Sequence, residues 1–428
     1  MSYLAVFKRY SMHERLTRSL FIVAITLLFL TLPLSFISEK SCRIAFYFCS
    51  YLSIVGIFIN YRKTKSAITS TKIVLPFFAL SVMYAVWSVI AAHYAVADVD
   101  NGLLFTPAKR WFLATLISMF ILWGIREEFI SQPLLCKLAW ISFAAAFIFS
   151  SAGGIWQHIN GIERITLGIN RATMTAYAYS AMALTMMIML NRINRVSLRH
   201  ISILFAYLLS VYIIFLTETR SAMFIHITLG LLLIIKTLCQ SKSLKLVPIS
   251  AIIISFCVVG ILGKNIIASR FDTTKQEILK FNEGDDHTSL GSRFTMWKSG
   301  MVAIAENPLG ETQITRNTII KEWLVASHNP NSFALDYIDV HLHNEFIQYA
   351  SLFGIAGVIV LLFFFGKLLF DNGLRGFLGN PISVVTLSAL LYGMTDVLFI
   401  SVEYVVVFST LILLVRASRY SPADQSPS

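Results

Sequence analysis

The sequence predicts an all-α protein that crosses a membrane about twelve times. Of its 428 residues, 56% are apolar and only 14% are charged, whereas a soluble domain carries about 25% charged residues. The mean hydropathy is +0.71. The apolar residues also gather into separate runs, and a helix needs about 20 mainly apolar residues to cross a bilayer. Lipid is therefore the expected solvent for most of the chain.

Twelve apolar runs have close to this length. They cover Leu20–Ile37, Ile44–Asn60, Ile73–Ala92, Trp111–Ile125, Leu134–Ser151, Ala172–Leu190, Ile201–Leu216, Ala222–Leu238, Val247–Leu262, Glu345–Phe370, Ile382–Leu398 and Val402–Val415. The first run follows a basic stretch and shows no cleavage site before Lys40, so we expect it to be retained as a helix. The predicted divisions are helices 1–9 over residues 1–262, a long connection over 263–343, helices 10–12 over 344–418 and a tail over 419–428.

The distribution of positive charge predicts the orientation of the chain. Connections on the side of the N-terminus contain 20 Lys and Arg, whereas the short connections on the opposite side contain seven. Cytoplasmic loops keep an excess of Lys and Arg, so both termini are expected in the cytoplasm. The long connection then lies on the outer side, and its eight basic residues do not count because long loops fall outside this rule.

Composition and motifs argue against several classes of function. The net charge of +12 is spread between apolar segments, which indicates membrane orientation rather than nucleic-acid binding. The five cysteines are scattered without a CxxC pair, so the sequence predicts neither a disulfide framework nor a zinc site. No P-loop, GxSxG or dinucleotide-binding motif occurs.

The long connection is expected to fold, since structureless stretches of this length are uncommon. Two stretches, Arg270–Lys280 and Arg293–Ala305, have helical spacing, with Phe294 and Trp297 on one side of the second. The polar segment Glu283–Asp286 separates them, and its two adjacent aspartates are expected to be solvated. The pattern predicts amphipathic helices that lie on the membrane or cover a cavity.

Four arginines on the outer side are candidates for binding an anionic substrate. Arg220 lies in a very short turn between two apolar runs, where its guanidinium can bind a phosphate through two parallel hydrogen bonds. The alternative is an interfacial arginine that pairs with Glu218. Arg293 offers a similar choice between phosphate binding and anchoring at lipid headgroups. Arg164 and Arg171 lie on the same side and have the same alternatives.

Two histidines precede the tenth apolar run. His343 is near a helix N-terminus, where the local dipole favours the neutral imidazole that a general base requires; the alternative is an interfacial histidine beside the helix cap Asn344. The spacing of His341 and His343 does not place them on one helix face, and no HExxH motif occurs, so we expect no metal. Asp396 and Glu403 are costly in lipid and are expected to face a polar cavity or a helix end.

Four short motifs resemble those of O-antigen ligases and occur in the same order along the chain. They are Arg164-Ile-Thr-Leu-Gly, Thr217-Glu-Thr-Arg220-Ser, Ser289-Leu-Gly-Ser-Arg293-Phe-Thr-Met-Trp297 and Val340-His-Leu-His-Asn-Glu345. Each motif is short, so the resemblance depends on their common order together with the predicted topology. That topology has twelve apolar runs and a long connection between the ninth and the tenth run. The resemblance, to the O-antigen ligase/polymerase superfamily, covers nearly the whole chain.

This resemblance implies a GT-C-like glycosyltransferase of the bacterial inner membrane that needs neither a metal nor another cofactor. The donor would be O-antigen linked to undecaprenyl diphosphate, and the acceptor a sugar hydroxyl of the lipid A-core. The resemblance assigns Arg220 and Arg293 to the donor diphosphate. It assigns the base to a histidine of the fourth motif, for which we prefer His343, with His341 as the alternative. The site would be periplasmic, and direct attack would invert the anomeric centre.

Two other functions remain open at this point. An O-antigen polymerase shares the many-span architecture and the donor, but it transfers one glycan chain to another. A flippase for the same lipid would line a path through the membrane with basic residues, and the apolar runs contain almost none. The choice of acceptor distinguishes the ligase from the polymerase.

Overall fold

The computed structural model describes residues 12–68, 72–94, 101–240, 260, 264 and 268–419, and the regular structure within these ranges is helical. We number the helices in chain order. They are α1 Met12–Ile37, α2 Glu39–Ile59, α3 Tyr61–Ile68, α4 Val74–Tyr94, α5 Asn101–Arg126, α6 Gln132–Ile159, α7 Ala172–Leu190, α8 Val196–Leu216, α9 Arg220–Gln240, α10 268–282, α11 Ser289–Glu306, α12 Gln313–Ala326, α13 Leu335–Ile338, α14 Glu345–Leu369, α15 Pro381–Gly393 and α16 Val402–Arg419.

Nine helices within the described ranges, α1, α2, α4 to α9 and α14, are long and apolar enough to cross a membrane. The helix α15 is apolar but shorter, and α16 has an apolar centre with charged residues near both ends. The predicted run Val247–Leu262 falls, apart from Gly260, outside the described residues. The predicted class of polytopic all-α membrane protein is confirmed, and the total of twelve crossings stays a prediction.

The start of α5 and the presence of α3 differ from what the sequence predicts. The helix α5 begins at Asn101 rather than at Trp111, although Lys109 and Arg110 had suggested a loop there. Both cations lie over the ring of Tyr47, at 5.4 and 4.5 Å from its centroid, so the helix can continue through them. The short basic helix α3 was not predicted because it has no apolar run.

The helix α7 lies at the centre of the bundle. It contacts α6, α8, α9, α15 and α16, and every residue from Met174 to Leu190 is buried. Elsewhere helices approach closely at glycines. A Cβ atom on Gly124 of α5 would lie 2.2 Å from the ring of Phe21 on α1, so this contact requires a residue without a side chain.

The helix α14 is interrupted in its first half by Gly354, whose φ is +60°. The turn that follows α11 takes up the backbone groups freed there. Glu311 donates its N–H to the carbonyl of Leu352, and Ile355 donates its N–H to the carbonyl of Pro308, both at 3.0 Å. An interrupted helix at membrane depth needs such partners, so this turn fixes the shape of α14.

The helices α11, α12 and α13 pack around a second apolar core, separate from that of the membrane helices. Its buried members are Met296, Ala303, Ile319, Ile320, Leu324, Ala334, Ile338 and Leu342. The helices α10 and α11 coincide with the two helical stretches predicted in the long connection. We call α11 to α13, with their connections up to the start of α14, the α11–α13 unit.

Candidate functional site

Side chains from four separate segments meet at one end of the bundle. Hydrogen bonds link the first turns of α7, the start of α9, the segment before α14 and the connection between α15 and α16. Three of these helices begin at this end, so the positive ends of their dipoles lie near it. Convergent helix N-termini favour the binding of anionic ligands.

His343 and Asp396 form the centre of this site. Nδ1 of His343 lies 3.1 Å from Oδ1 of Asp396, and the indole N–H of Trp297 donates to the backbone carbonyl of His343 at 3.2 Å. The imidazole is 17% exposed, whereas the carboxylate is 4% exposed. Because the carboxylate occupies Nδ1, Nε2 is the ring nitrogen that a substrate can reach.

The backbone holds His343 in an unfavourable conformation. Its φ of +49° lies in the left-handed region, which residues with a side chain seldom adopt. The next residue, Asn344, caps α14 by accepting two of its free backbone N–H groups, and its amide donates to the carbonyl of Met394 at 2.9 Å. The start of α14 is thus tied to the connection that carries Asp396, and strain of this kind concentrates at functional sites.

Asp396 lies in a buried, non-helical connection between α15 and α16. The carboxylate of Glu345 accepts the N–H of Leu398 at 2.6 Å, and Asp396 accepts the N–H of Val397 at 2.9 Å. These carboxylates satisfy backbone groups that a helix would otherwise pair. The helix α15 therefore ends at Gly393, and the predicted run Ile382–Leu398 extends too far.

The pKa values of Asp396 and His341 determine the charges of these two groups. Burial by itself would raise the pKa of Asp396, but the hydrogen bond from His343 and nearby cationic side chains outweigh it and lower this pKa to about 2. Burial lowers the pKa of His341 to about 4, and the charge of His343 acts in the same direction. At pH 7, therefore, Asp396 is an ionised carboxylate and His341 is a neutral imidazole.

The geometry distinguishes the two histidines that the sequence left open. Their rings are nearly perpendicular, with centroids 4.2 Å apart. Nδ1 of His341 is buried without a hydrogen-bond partner among the described residues, whereas Nδ1 of His343 is bonded to Asp396. Of the two, His343 is the one whose ring is oriented by a carboxylate.

A chain of hydrogen bonds connects this cluster to the start of α9. The hydroxyl of Tyr177 lies 2.9 Å from Oγ of Ser221 and donates to Oδ2 of Asp396 at 3.5 Å. Its ring stacks on that of Tyr392, with centroids 4.4 Å apart. Because Ser221 follows Arg220 directly, the network joins the arginine turn to the histidine cluster.

Arg293 and Arg171 lie close enough to this cluster to act on its charges. The guanidinium of Arg293 lowers the pKa of both His341 and Asp396, and that of Arg171 lowers the pKa of His341. Arg293 is half-buried and Arg171 is exposed. Neither forms an ion pair within the part of the chain that the structure describes, so both charges are available to a ligand.

Arg164 braces the short turn that presents Arg220. Its Nε–H donates to the carbonyl of Thr217 at 3.1 Å, and the N–H of the residue after it donates to the carbonyl of Leu216 at 3.1 Å. Within the turn, Glu218 adopts a φ of +53°. The structure therefore uses Arg164 to hold a strained turn in place.

Arg220 does not pair with Glu218, as the interfacial alternative assumed. Its Nη1 and Nη2 lie 2.6 and 2.8 Å from the two carboxylate oxygens of Glu277 on α10, and Nη1 also donates to Thr274 at 3.2 Å. Glu218 pairs instead with Arg270 of the same helix. Arg220 is thus at the site with its guanidinium occupied by a carboxylate.

The histidine cluster also has the composition of a metal site. One ligand atom each from His341, His343 and Asp396 lies within 4.8 Å of the others. The sequence argument against a metal considered the two histidines alone, and the third group comes from a distant segment. The absence of a metal therefore stays a prediction, which is tested below by chelation.

Comparisons with known proteins connect this geometry to a family. A family model described as O-Antigen ligase matches residues 205–362, a segment that contains Arg220, Arg293 and both histidines of the cluster. The O-antigen ligase of Escherichia coli (strain K12) is 22% identical over 416 residues, which cover 93% of this chain and 94% of that protein. The predicted resemblance to O-antigen ligases is confirmed by both comparisons. Together with the long apolar helices, this similarity indicates an integral membrane protein.

Three residues that the structure brings to the site were not assigned there from the sequence. Tyr177 lies inside an apolar run, and Glu277 is one of many polar residues on an amphipathic helix, so neither is conspicuous. For Asp396, the third residue, the sequence did contain a signal. An acid near an outward hairpin is costly in lipid and needs a partner, and His343 was expected on the same side of the membrane.

Proposed function

We propose that this protein is an O-antigen ligase of the bacterial inner membrane, acting in lipopolysaccharide biosynthesis. It transfers O-antigen polysaccharide from undecaprenyl diphosphate to a sugar hydroxyl of the lipid A-core. The observation that carries the proposal is the partly exposed imidazole of His343, bonded to the buried carboxylate of Asp396 and close to the charge of Arg293. Similarity to O-antigen ligases supports the choice of substrates.

His343 acts as the general base in this proposal. Its Nε2 takes the proton of the acceptor hydroxyl while the hydroxyl oxygen forms a bond to the anomeric carbon. The bond from that carbon to the diphosphate oxygen breaks, and its electron pair leaves with the diphosphate. Asp396 orients the ring and stabilises the imidazolium that forms. Attack from the face opposite the leaving group inverts the anomeric centre, and His341 is the alternative base.

Arginines stabilise the charge that develops on the leaving diphosphate. Preorganised cations are effective here because they need no reorganisation as the bond breaks. Arg293 is already near the cluster, and Arg220 reaches the diphosphate once Glu277 gives way. Arg171 contacts a more exposed part of the donor, while Arg164 supports the turn of Arg220 and adds charge at the edge of the site.

The reaction proceeds without a metal in this proposal. A metal ion in glycosyl or phosphoryl transfer neutralises the leaving group, and here arginines supply that charge. The charges of Arg293 and Arg171, which act on His341, also oppose the entry of a divalent cation between the histidines. In addition, Nδ1 of His343 is already bonded to Asp396.

The site faces the periplasm, with both termini in the cytoplasm. The excess of basic residues in the connections on the N-terminal side supports this orientation. The site lies at the end of the bundle where α7, α9 and α14 begin, which that orientation places on the outer side. Both substrates are lipids, so each can approach from the bilayer while water is kept from the sugar centre.

The test is transfer in liposomes with purified lipid A-core, carrier-linked O-antigen, no ATP and a chelator. We expect product from the wild type and from His158→Ala, which changes an exposed histidine of α6. We expect no product from His343→Ala, and thermal unfolding checks that this variant is correctly folded. Full transfer by His343→Ala would contradict the assigned base.

The same assay distinguishes the other functions. Lengthening of polysaccharide on the carrier, without transfer to lipid A-core, would identify a polymerase. Movement of the carrier lipid across the bilayer without any new covalent product would identify a flippase. Transfer that stops with chelator and returns with a divalent metal would place a metal ion at the histidine cluster.

A further inference from the structure

Among the four candidate arginines, Arg220 alone is ion-paired within the described residues. Glu277 binds both of its terminal nitrogens, at 2.6 and 2.8 Å, in the two-pronged geometry that a guanidinium also forms with phosphate. The side chain of Arg220 is 31% exposed and that of Glu277 is 10% exposed. A carboxylate therefore fills the binding face that a diphosphate needs.

The part of α10 that carries Glu277 is weakly attached, although Phe281 at the end of this helix contacts Phe294 of α11. Among residues 271 to 280, Glu277 is the only buried one, so α10 buries little apolar surface there. A second ion pair, Arg270 with Glu218, lies seven residues earlier, which is two helical turns or about 10 Å along the same face. Segments with few buried apolar contacts open most easily, so a competing anion can displace this face of α10.

The reaction itself creates a need for such competition. The donor diphosphate is esterified at both ends, whereas the product carries a terminal phosphate with about one further negative charge near pH 7. Fixed arginines consequently bind the product more tightly than the donor. An enzyme that binds its product too tightly turns over slowly.

We propose that Glu277 is an internal competitor of the diphosphate at Arg220. The incoming donor displaces it, and after transfer it returns to Arg220 and helps to expel undecaprenyl diphosphate. This inference rests on the proposed function, since that function supplies the ligand. It adds a residue that sets the balance between donor binding and product release.

The experiment measures binding of undecaprenyl diphosphate to the full-length protein in nanodiscs. Glu277→Gln removes the competing charge but keeps the shape of the side chain, and we expect binding about threefold to fivefold tighter. Glu283→Gln removes the same charge from an exposed position just after α10 and should change nothing. In the Arg220→Ala background, the effect of Glu277→Gln should disappear.

Kinetics give the second measurement. Glu277→Gln should lower the KM for donor and strengthen inhibition by added undecaprenyl diphosphate. Weaker binding by Glu277→Gln would mean that Glu277 positions Arg220 and does not compete, and equal effects of the two glutamine variants would indicate general electrostatics; either result overturns the proposal. Because the binding assay needs no turnover, failure of transfer in the wild type would reject the ligase function separately.

A second observation, independent of the first, is a cavity of about 420 Å³ at the opposite end of the bundle. It is lined by the last residues of α7 and α9, the first of α15 and the segments beside them, including Asn191, Arg192, Lys236, Thr237 and Asn372. The helix α7 begins at the histidine site and ends here, so its length of about 28 Å separates the two sites.

A lysine lies at the wall of this cavity. Lys236 is half-buried and forms no hydrogen bond or ion pair with any residue that the structure describes. Gly379 leaves room for its amine, because a Cβ atom there would lie 2.7 Å from Nζ. Arg192 adds a second cation, although one of its nitrogens donates to the carbonyl of Ser418 at 2.6 Å.

We infer that this cavity binds the phosphate of an anionic phospholipid headgroup. In the orientation that positive charge predicts, it lies at the cytoplasmic surface, where basic pockets between membrane helices bind such headgroups. A cationic amine that has no partner among the described residues, at the wall of a small cavity, favours a phosphate. The ligand is separate from both substrates of the transfer reaction.

Native mass spectrometry of the full-length protein with phosphatidylglycerol tests this site. We expect the wild type and the exposed control Lys367→Gln to retain one more lipid than Lys236→Gln or Gly379→Ala, and phosphatidylcholine to show no difference. Displacement of the lipid by millimolar inorganic phosphate would show that free phosphate is the ligand and would overturn the lipid assignment. Equal retention by all variants would overturn the site.

Discussion

The helix α10 and the α11–α13 unit belong to one long connection, yet they are held in different ways. The helix α10 exposes apolar side chains such as Phe271, Ile278 and Leu279. It is attached through the ion pairs of Arg220 and Arg270 and, at its end, through the contact of Phe281 with Phe294. The α11–α13 unit has an apolar core of its own and two buried polar networks. The two parts therefore differ in how easily they can move.

The first network centres on Arg316, which is fully buried. Its guanidinium donates to the amide oxygen of Asn317 at 2.9 Å, to that of Gln348 at 3.1 Å and to the carbonyl of Ile338 at 2.5 Å. Gln348 also accepts the N–H of Leu342 at 3.0 Å. Leu342 lies between the two histidines, so this network fixes the segment that carries them.

The second network centres on Asp286, which was expected in a solvated turn. It is instead 2% exposed and accepts hydrogen bonds from Thr295, Asn329, Ser332 and the backbone N–H of Phe333. Thr295 lies on α11 two residues after Arg293. The expectation of solvation was wrong because the partners of this acid come from segments far along the chain.

This comparison assigns different tasks to the two parts. The rigid unit holds Arg293 and the histidines at fixed positions, as electrostatic stabilisation of a transition state requires. Ion pairs that are partly exposed contribute little free energy, so α10 can exchange its contacts with Arg220 for contacts with a ligand. Four substitutions test this division, and they follow from the largest expected effect to the smallest.

Arg316→Leu should damage the rigid unit most. It leaves several buried acceptors without donors, at a cost to the free energy of unfolding on the order of 3 kcal/mol or more. Thermal unfolding and limited proteolysis should show loss of the unit, and transfer should be lost with it. Lys321→Leu, at an exposed position of the same helix, is the control and should leave both unchanged.

Arg293→Ala should lower transfer about 100-fold, since one stabilising cation at the leaving group typically contributes about 3 kcal/mol. The free energy of unfolding should stay unchanged, because Arg293 forms no ion pair with a described residue. Lys298→Ala, five residues further along α11 and exposed, should keep full transfer. Equal losses in the two variants would argue against a specific role for Arg293.

Asp286→Asn should lower the free energy of unfolding by about 1.5 to 3 kcal/mol, the range for hydrogen bonds to a charged group. Burial opposes ionisation, but the bonds from Ser332 and Thr295 dominate, and the pKa of Asp286 is lowered on folding. Its contribution is therefore present above its ordinary pKa of about 3.9 and is lost as the pH falls through the lower folded value. The free energies of unfolding of Asp286→Asn and the wild type should differ most at pH 7, and this difference should shrink below about pH 4.

Arg270→Gln should have the smallest effect. It breaks an ion pair whose side chains are 31% and 23% exposed, which contributes less than about 1 kcal/mol. Limited proteolysis within α10 should become faster, while the midpoint of thermal unfolding stays the same. A loss of stability as large as that of Asp286→Asn would show that α10 and the α11–α13 unit are held alike.

The sequence by itself determined the class of protein and several local features of the site. Long apolar runs predict membrane helices because the bilayer leaves few alternatives for an apolar segment. The helix start beside His343 was expected, and Asn344 caps it as observed. The short turn of Arg220 was likewise expected, since it follows from two runs that leave only a few residues between them.

Only the tertiary structure decided which charged groups are partners. The contact of His343 with Asp396 spans 53 residues, and that of Arg220 with Glu277 spans 57. Local patterns favour Glu218 for Arg220, because it is the nearest acid in sequence. Pairing across such distances depends on how α10, α14 and α15 pack, and packing is determined by the whole set of buried contacts rather than by neighbours along the chain.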